Sequence, residues 1–241
     1  MDVKPIGGLE HEPYAEVWLE TIDDAVLAEA FDAAAAIGKP GLEVWTTTRT
    51  PAVADYLLAH GFEEHRRYVI SELEITAAAD PGPPGHPLVT LSERPDLGPA
   101  LHELARIAHA DQPGRAGTEI GDSWLEWGLR ANPPESYFAA LDGDRVLAYG
   151  YLSLIDEVWW HGFLAVAREE RGRGLAGSIK RAQIRYAKEH AISALRTATE
   201  ARLTGLRGLN ERLGYVPLYD EIVLRGTALL PAPYPGPAVP P

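Results

Sequence analysis

The stretch from Phe163 to Arg181, FLAVAREERGRGLAGSIKR, limits what this chain can fold into more than any other. Phe163, Leu164 and Val166 form a short apolar run, Arg171-Gly172-Arg173-Gly174-Leu175-Ala176 supplies a turn, and a helical pattern follows to about His190. The expectation is a buried strand, a tight glycine turn and a helix. A turn of this kind leaves backbone N–H groups free at the mouth of a helix. Glycines let that backbone come close to a ligand, and the helix dipole adds partial positive charge, so a di- or triphosphate can be held there. Arg171 and Arg173 add full charges to the same spot, and the stretch reads as a pyrophosphate cradle. Two other nucleotide motifs do not fit. A Walker loop needs Gly-Lys-Ser/Thr where this chain has Gly174-Leu175-Ala176, and the dinucleotide fingerprint needs an acidic residue after a second strand.

What remains, Arg/Gln-x-x-Gly-x-Gly/Ala directly after an apolar strand, resembles motif A of the GNAT superfamily of acyl-CoA N-acyltransferases. The resemblance implies that the loop Arg171, Gly172, Arg173, Gly174, Leu175 and Ala176 holds the pyrophosphate of coenzyme A. It also implies that backbone N–H groups of Leu164, Ala165 and Val166 face the pantetheine arm and the acyl oxygen. The segment Asn210-Glu211-Arg212-Leu213-Gly214-Tyr215 resembles the Asn-x-x-x-Gly-Phe/Tyr signature late in such domains, which would bring Asn210 to the pantetheine. Asn210 reads equally well as a polar cap near a helix end. The implied activity is acetyl-CoA-dependent N-acetylation, in which the primary amine of a small molecule attacks the thioester directly.

The sequence departs from the family where an acid and a base are usually found. Asn210 occupies the place of a common tyrosine, and Trp160 that of a common glutamate. His161 is next in line as a proton acceptor, and Glu157 could act through a water. For each, a structural role outweighs a catalytic one, and Tyr215 could supply a proton or pack in the core. The alternative is therefore a non-catalytic acyl-CoA-binding or regulatory protein. Trp124, Trp127, Trp159 and Trp160 are candidates for walls of an acceptor pocket, or for core. His102 and His109 lie seven apart without a third ligand in view, so no metal site is expected.

The element order supports a mixed α/β sheet, an α+β arrangement of GNAT type. Leu88–Leu91 opens a strand, Asp96 can cap a helix through His109, and Gly121–Ala131 reads as an amphipathic helix ended by Asn132-Pro133-Pro134. The Asp142-Gly143 pair signals a hairpin, and the strand Val158–Val166 leads into the cradle. A strand from Leu195, a helix over Leu203–Leu213 and a final strand from Gly214 complete a domain over residues 87–228. Before it, the order strand, helix (capped by Asp23 or Asp24), strand, helix from Pro51, Gly61-Phe62, strand repeats the later half at a shift of 153 positions. That shift lays Leu42 on Leu195, Thr46 on Thr199 and Gly61-Phe62 on Gly214-Tyr215. Residues 1–78 read as a shortened, degenerate GNAT-like lobe, with an unrelated small α/β domain as the competing reading. The cradle maps there onto Trp18–Asp23, where both glycines are gone and two carboxylates, Glu20 and Asp23, have arrived, so this copy is not expected to bind the cofactor. Residues 79–86 form a Pro/Gly linker and 229–241 a proline-rich tail.

Across 241 residues the formal charge is -13. That argues against a nucleic-acid surface and favours cationic or amine-bearing partners. Cysteine is absent, which excludes a thiol nucleophile and Cys-type zinc sites. With no signal pattern and no apolar run of membrane-spanning length, a cytoplasmic monomer or homodimer is expected.

Overall fold

The computed structural model describes residues 1–6, 12–112, 128 and 132–227. The chain divides into two compact units, Met1–Arg66 joined by the chain from Glu221 on, and Arg67–Asp220.

In the first unit, β1 (Lys4–Pro5) pairs antiparallel with β2 (Tyr14–Trp18). The latter runs parallel to β3 (Gly41–Thr47), with Val17 opposite Val44. The crossover is α1 (Asp24–Ala36), and α2 (Pro51–Ala59) follows β3. Asp23 caps α1, its carboxylate accepting the Val26 N–H at 2.8 Å. Leu42, Val44, Leu57, Phe62, Ile222 and Leu224 lie in one buried cluster. The carboxylate of Glu43 is fully buried between two guanidinium groups, Arg66 at 2.7 Å and Arg225 at 2.8 Å. Removing one member of such a group leaves like charges facing each other out of water. Glu43→Ala is expected to cost about 3–5 kcal/mol, read as a lower urea midpoint.

The second unit has the strand order β4-β9-β8-β7-β6-β5. These are β4 (Glu63–Glu74), β5 (Val89–Thr90), β6 (Tyr137–Asp142), β7 (Arg145–Ile155), β8 (Val158–Val166) and β9 (Ala194–Glu200). Side-chain alternation gives the sheet two apolar faces. Tyr137, Ala139, Tyr149 and Tyr151 pack with Leu101 and Leu104 of α3 (Gly98–Ala110). Phe138, Ala140 and Ala148 pack with Leu175, Ile179 and Ala182 of α4 (Leu175–Glu189). Then α5 (Thr204–Arg212) leads to β10 (Val216–Thr227). The expected hairpin turns at Gly143, whose φ is 60°.

The compact units depart from the limits expected from sequence, 1–78 and 87–228. Residues 221–227 of β10 pair with β3 in the first unit, Glu221 opposite Thr47 and Thr227 opposite Gly41. Residues 68–74 of β4 pair with β9 in the second, Tyr68 opposite Glu200. Each half of the sequence thus gives its closing strand to the other unit. A shift of the sequence against itself finds the repeat but cannot see which strand completes which sheet.

The linker is tied down. It is held by donors along α4: Arg181 to Pro81 O and Arg185 to Gly82 O, both at 3.0 Å, and Lys188 to Ala79 O at 3.1 Å. Prolines leave carbonyls with no neighbouring N–H to pair with, and these cations take them. The proposed helix over 121–131, with Trp124 and Trp127, and the tail 229–241 lie outside the described residues.

Candidate active site

The glycine turn forms as the sequence requires. Gly172 and Gly174 take φ of 80° and 85°, and Gly174 stands at the N-cap of α4 with no side-chain cap. No protein acceptor among the described residues takes the N–H groups of Gly172, Arg173, Gly174, Leu175 or Ala176. A fifteen-residue helix therefore opens on a cluster of backbone donors, where its dipole favours an anion. The two arginines behave differently from the expectation of free charge. Arg171 bonds Asp111 at 2.6 Å and Val166 O at 3.2 Å. Arg173 bonds Glu170 at 2.7 Å. Asp111 also holds Arg168, and these cations keep its carboxyl below the usual carboxylate range. Glu170 lies three residues from Arg173, whereas the Asp111 that holds Arg171 is sixty positions away, which local sequence does not reveal. Above the turn, His86 Nε2 lies 2.9 Å from Arg173 O and Gly85 N–H donates to Ser178 Oγ at 3.1 Å.

Beside the turn, β8 and β9 separate. They pair in parallel at Trp159–Leu195 and Trp160–Arg196 only, so the strands form a wedge whose apex is His161 and Thr197. The register of β8 against β7 slips between Leu152–His161 and Gly150–Leu164, a bulge at Gly162 and Phe163. Ala167 N–H goes to Leu147 O on β7. Alternation along the strand then sends the Ala165 N–H the same way, and those of Leu164 and Val166 toward the wedge. Of the three residues expected to offer backbone donors, the geometry leaves Leu164 and Val166. At the bulge, Phe163 N–H is taken by the buried Tyr151 hydroxyl. A Cβ on Gly162 would sit 2.1 Å from the Tyr151 ring. Gly162→Ala is expected to move the bulge and destabilise the unit by about 1–3 kcal/mol, measurable as a lower thermal midpoint together with weaker coenzyme A binding.

A cavity of about 120 Å³ fills the wedge, lined among others by His161, Leu164, Lys180, Gln183, Thr197 and Thr199. A larger groove of about 680 Å³ runs between residues 84–90 and α4, but it lacks the divergent strands and their free donors. Polar side chains meet at the apex of the wedge. His161 Nδ1–H donates to Gln183 Oε1 at 2.8 Å, and its Nε2 accepts from the Tyr215 hydroxyl. Burial and the neighbouring Lys180 charge hold His161 well below its ordinary pKa, so the ring is neutral. Lys180 is 1% exposed, and burial brings its pKa down to about 7. Its Nζ lies 3.5 Å from Thr197 Oγ1 and 5.2 Å from the centre of the Tyr215 ring.

The structure thus brings His161 to the cleft, with both ring nitrogens already hydrogen-bonded. Glu157 it places elsewhere: with Asp156 it forms the exposed β7–β8 turn, at φ of 64° and 47°, and it does not line the wedge. Asn210 is buried, donates to Thr199 Oγ1 at 3.0 Å and leaves its Oδ1 without a partner. Trp159 packs against the cluster around Leu195, and Trp160 lies under Arg196. His102 and His109 are buried on α3, and no group of three potential metal ligands occurs among the described residues. Lys180 and Gln183 were missed from sequence, because lysine and glutamine on a long helix are mostly exposed.

A mixed sheet with a strand, glycine turn and helix beside two splayed parallel strands defines the GNAT-like N-acetyltransferase fold. Residues 101–215, just under half of the chain, match the family model of the acetyltransferase (GNAT) family, a family of acyltransferases. A GCN5-related N-acetyltransferase from Sphaerobacter thermophilus is similar in structure, with a TM-score of 0.69 and 16% identity over 94% of this chain and 75% of that one. A tandem GNAT protein from the clavulanic acid biosynthesis pathway gives 0.65 and 17% over 89% and 75%. A GCN5-related N-acetyltransferase from Kribbella flavida gives 0.57 and 18% over 90% and 82%. At these identities the likeness is one of fold. None of the curated proteins matches the sequence. Among the described residues no helix is long and apolar enough to cross a membrane.

Proposed function

We propose that the protein transfers an acyl group, with acetyl-CoA as the simplest donor, to the primary amine of a small molecule, and that its two halves are a working GNAT lobe and a decayed one. The observation that carries the reading is the set of N–H groups from Gly172 to Ala176 with no protein acceptor, at the head of α4 and beside the open wedge. Those donors suit a pyrophosphate. Leu164 and Val166 offer further donors along β8, and Asn210 has an unpartnered carbonyl oxygen on the α5 side. The first unit supports the idea of a decayed copy, since Asp23 takes the N–H that a phosphate would need at the head of α1.

Bound there, the thioester supplies an activated acyl carbon, which a neutral amine attacks as the C–S bond breaks, the amine's proton ending on the departing thiolate. That balance needs no net proton from the protein. Positioning and hydrogen-bond donors can then account for most of the rate. His161 is neutral but hydrogen-bonded on both nitrogens, so it shapes the wedge and accepts a proton only by releasing Tyr215. The formal charge of -13 fits a cationic acceptor.

The engaged state of His161 also favours the second reading, a protein that binds acyl-CoA without turnover. Thermal shift and free-thiol release with acetyl-CoA over a panel of primary amines separate the two. Stabilisation with thiol release establishes the enzyme, and stabilisation with no release from any amine selects the binding protein. Absence of stabilisation by coenzyme A would refute both.

A further inference from the structure

Lys180 is unusual for the face of the helix it occupies. Its neighbours Ile179, Ala182, Gln183 and Ile184 are buried against the sheet, and it is as buried as they are. An ammonium has three donors. This one makes a single long hydrogen bond to Thr197 and lies near the Tyr215 ring. No carboxylate among the described residues faces it. The one acid among the residues lining the cavity, Glu200, sits three residues farther up β9, where one carboxylate oxygen bonds Arg202 at 2.6 Å and the other is buried without a hydrogen-bond partner. A buried cation without a counter-ion is costly, and it is retained where a ligand supplies the charge.

Position says which ligand. With the pyrophosphate at Gly172–Ala176 and the pantetheine along Val166 and Leu164, the thioester reaches the bulge at Gly162 and Phe163, and its acyl chain points on toward the apex at His161 and Thr197. Lys180 stands at that apex. We infer that the wedge is built for a short acyl group ending in a carboxylate, a malonyl-, succinyl- or glutaryl-type thioester, with the terminal carboxylate received by Lys180. The inference rests on the acyl-CoA reading above and specifies its donor. The transfer is unchanged in balance: the C–S bond breaks, the C–N bond forms, and the distal carboxylate takes no part. A cavity of about 120 Å³ equals roughly four waters of liquid volume, enough for a short chain and too little for a fatty one.

Titration calorimetry of the full chain with coenzyme A, acetyl-CoA and succinyl-CoA tests this. Succinyl-CoA is expected to bind at least tenfold more tightly than acetyl-CoA, and Lys180→Met to bring the ratio close to one. Met keeps the length of the side chain without the charge, and a thermal melt checks that the variant is folded. Equal affinity for the two thioesters, or a preference that survives in Lys180→Met, overturns the inference while leaving the acyl-CoA reading intact. Failure of coenzyme A itself to bind removes both. A carboxylate on the acceptor is the other possible source, so thiol release is compared for phenethylamine and phenylalanine with acetyl-CoA. A tenfold preference for phenylalanine that Lys180→Met abolishes, without any preference among donors, overturns the donor assignment.

Discussion

Gly174→Asp is expected to weaken coenzyme A binding at least a hundredfold while the protein stays folded. The first unit shows what a carboxylate does at this place, since Asp23 folds back on the head of α1 and accepts the Val26 N–H at 2.8 Å. An aspartate at 174 would put its charge where two phosphates must go. A side chain at φ 85° costs about 1 kcal/mol, which a folded domain can absorb. Nothing crowds the substituent, because the nearest atom to an added Cβ is His86 Nε2 at 3.9 Å. Circular dichroism should show an unchanged fold, and calorimetry the lost affinity. Gly174→Ala, with the strain and without the charge, should lose less than Gly174→Asp. Affinity unchanged in the aspartate variant would place the cofactor elsewhere.

The contrast between residues 23 and 174 also explains what could be read from sequence. The cradle was legible because it is local: two glycines, an apolar run before them and a helical period after them determine the turn without help from distant residues. The hairpin at Gly143 was legible for the same reason. The partners of charged groups were not. Arg171 and Arg173 read as free phosphate ligands, yet Asp111 and Glu170 hold them, and Asp111 lies sixty positions upstream of Arg171. Glu157 read as a base that could act through a water, but two consecutive non-glycine residues with positive φ make it the tip of a turn. Asp96, read as a helix cap, pairs instead with Arg94 at 2.6 Å. The exchange of β4 and β10 between the units depends on pairings between residues 120 to 186 positions apart, which no local pattern encodes. Lys180 is the strongest case. Lysine on a long helix normally faces water, and only the packing of α4 over the β8–β9 wedge buries it.

That burial carries the largest expected effect on stability. Burial alone lowers the Lys180 pKa from 10.5 to about 7, so above pH 7 the unfolded chain holds a proton that the folded chain gives up. Stability contributed by this group therefore rises with pH between 7 and 10.5, and the cost of the charged lysine is complete at pH 7 and below. Each factor of ten in proton affinity is worth ~1.4 kcal/mol, so the cost approaches about 5 kcal/mol. Lys180→Met is expected to raise stability by several kcal/mol at pH 6.5–7, and by progressively less toward pH 9.5. The neighbours shift this profile in known directions. His161, held neutral, makes both proteins less stable as pH falls below 6.5, and Tyr215, whose pKa is raised by burial, acts only above pH 10. Urea denaturation from pH 6.5 to 9.5 isolates the lysine. Wild type should gain on the variant steadily across that range. A parallel pair of curves would mean that the ammonium reaches water or a carboxylate in the free protein. A variant gaining stability as it loses affinity for a carboxylated thioester would mark Lys180 as a residue kept for binding at the expense of the fold.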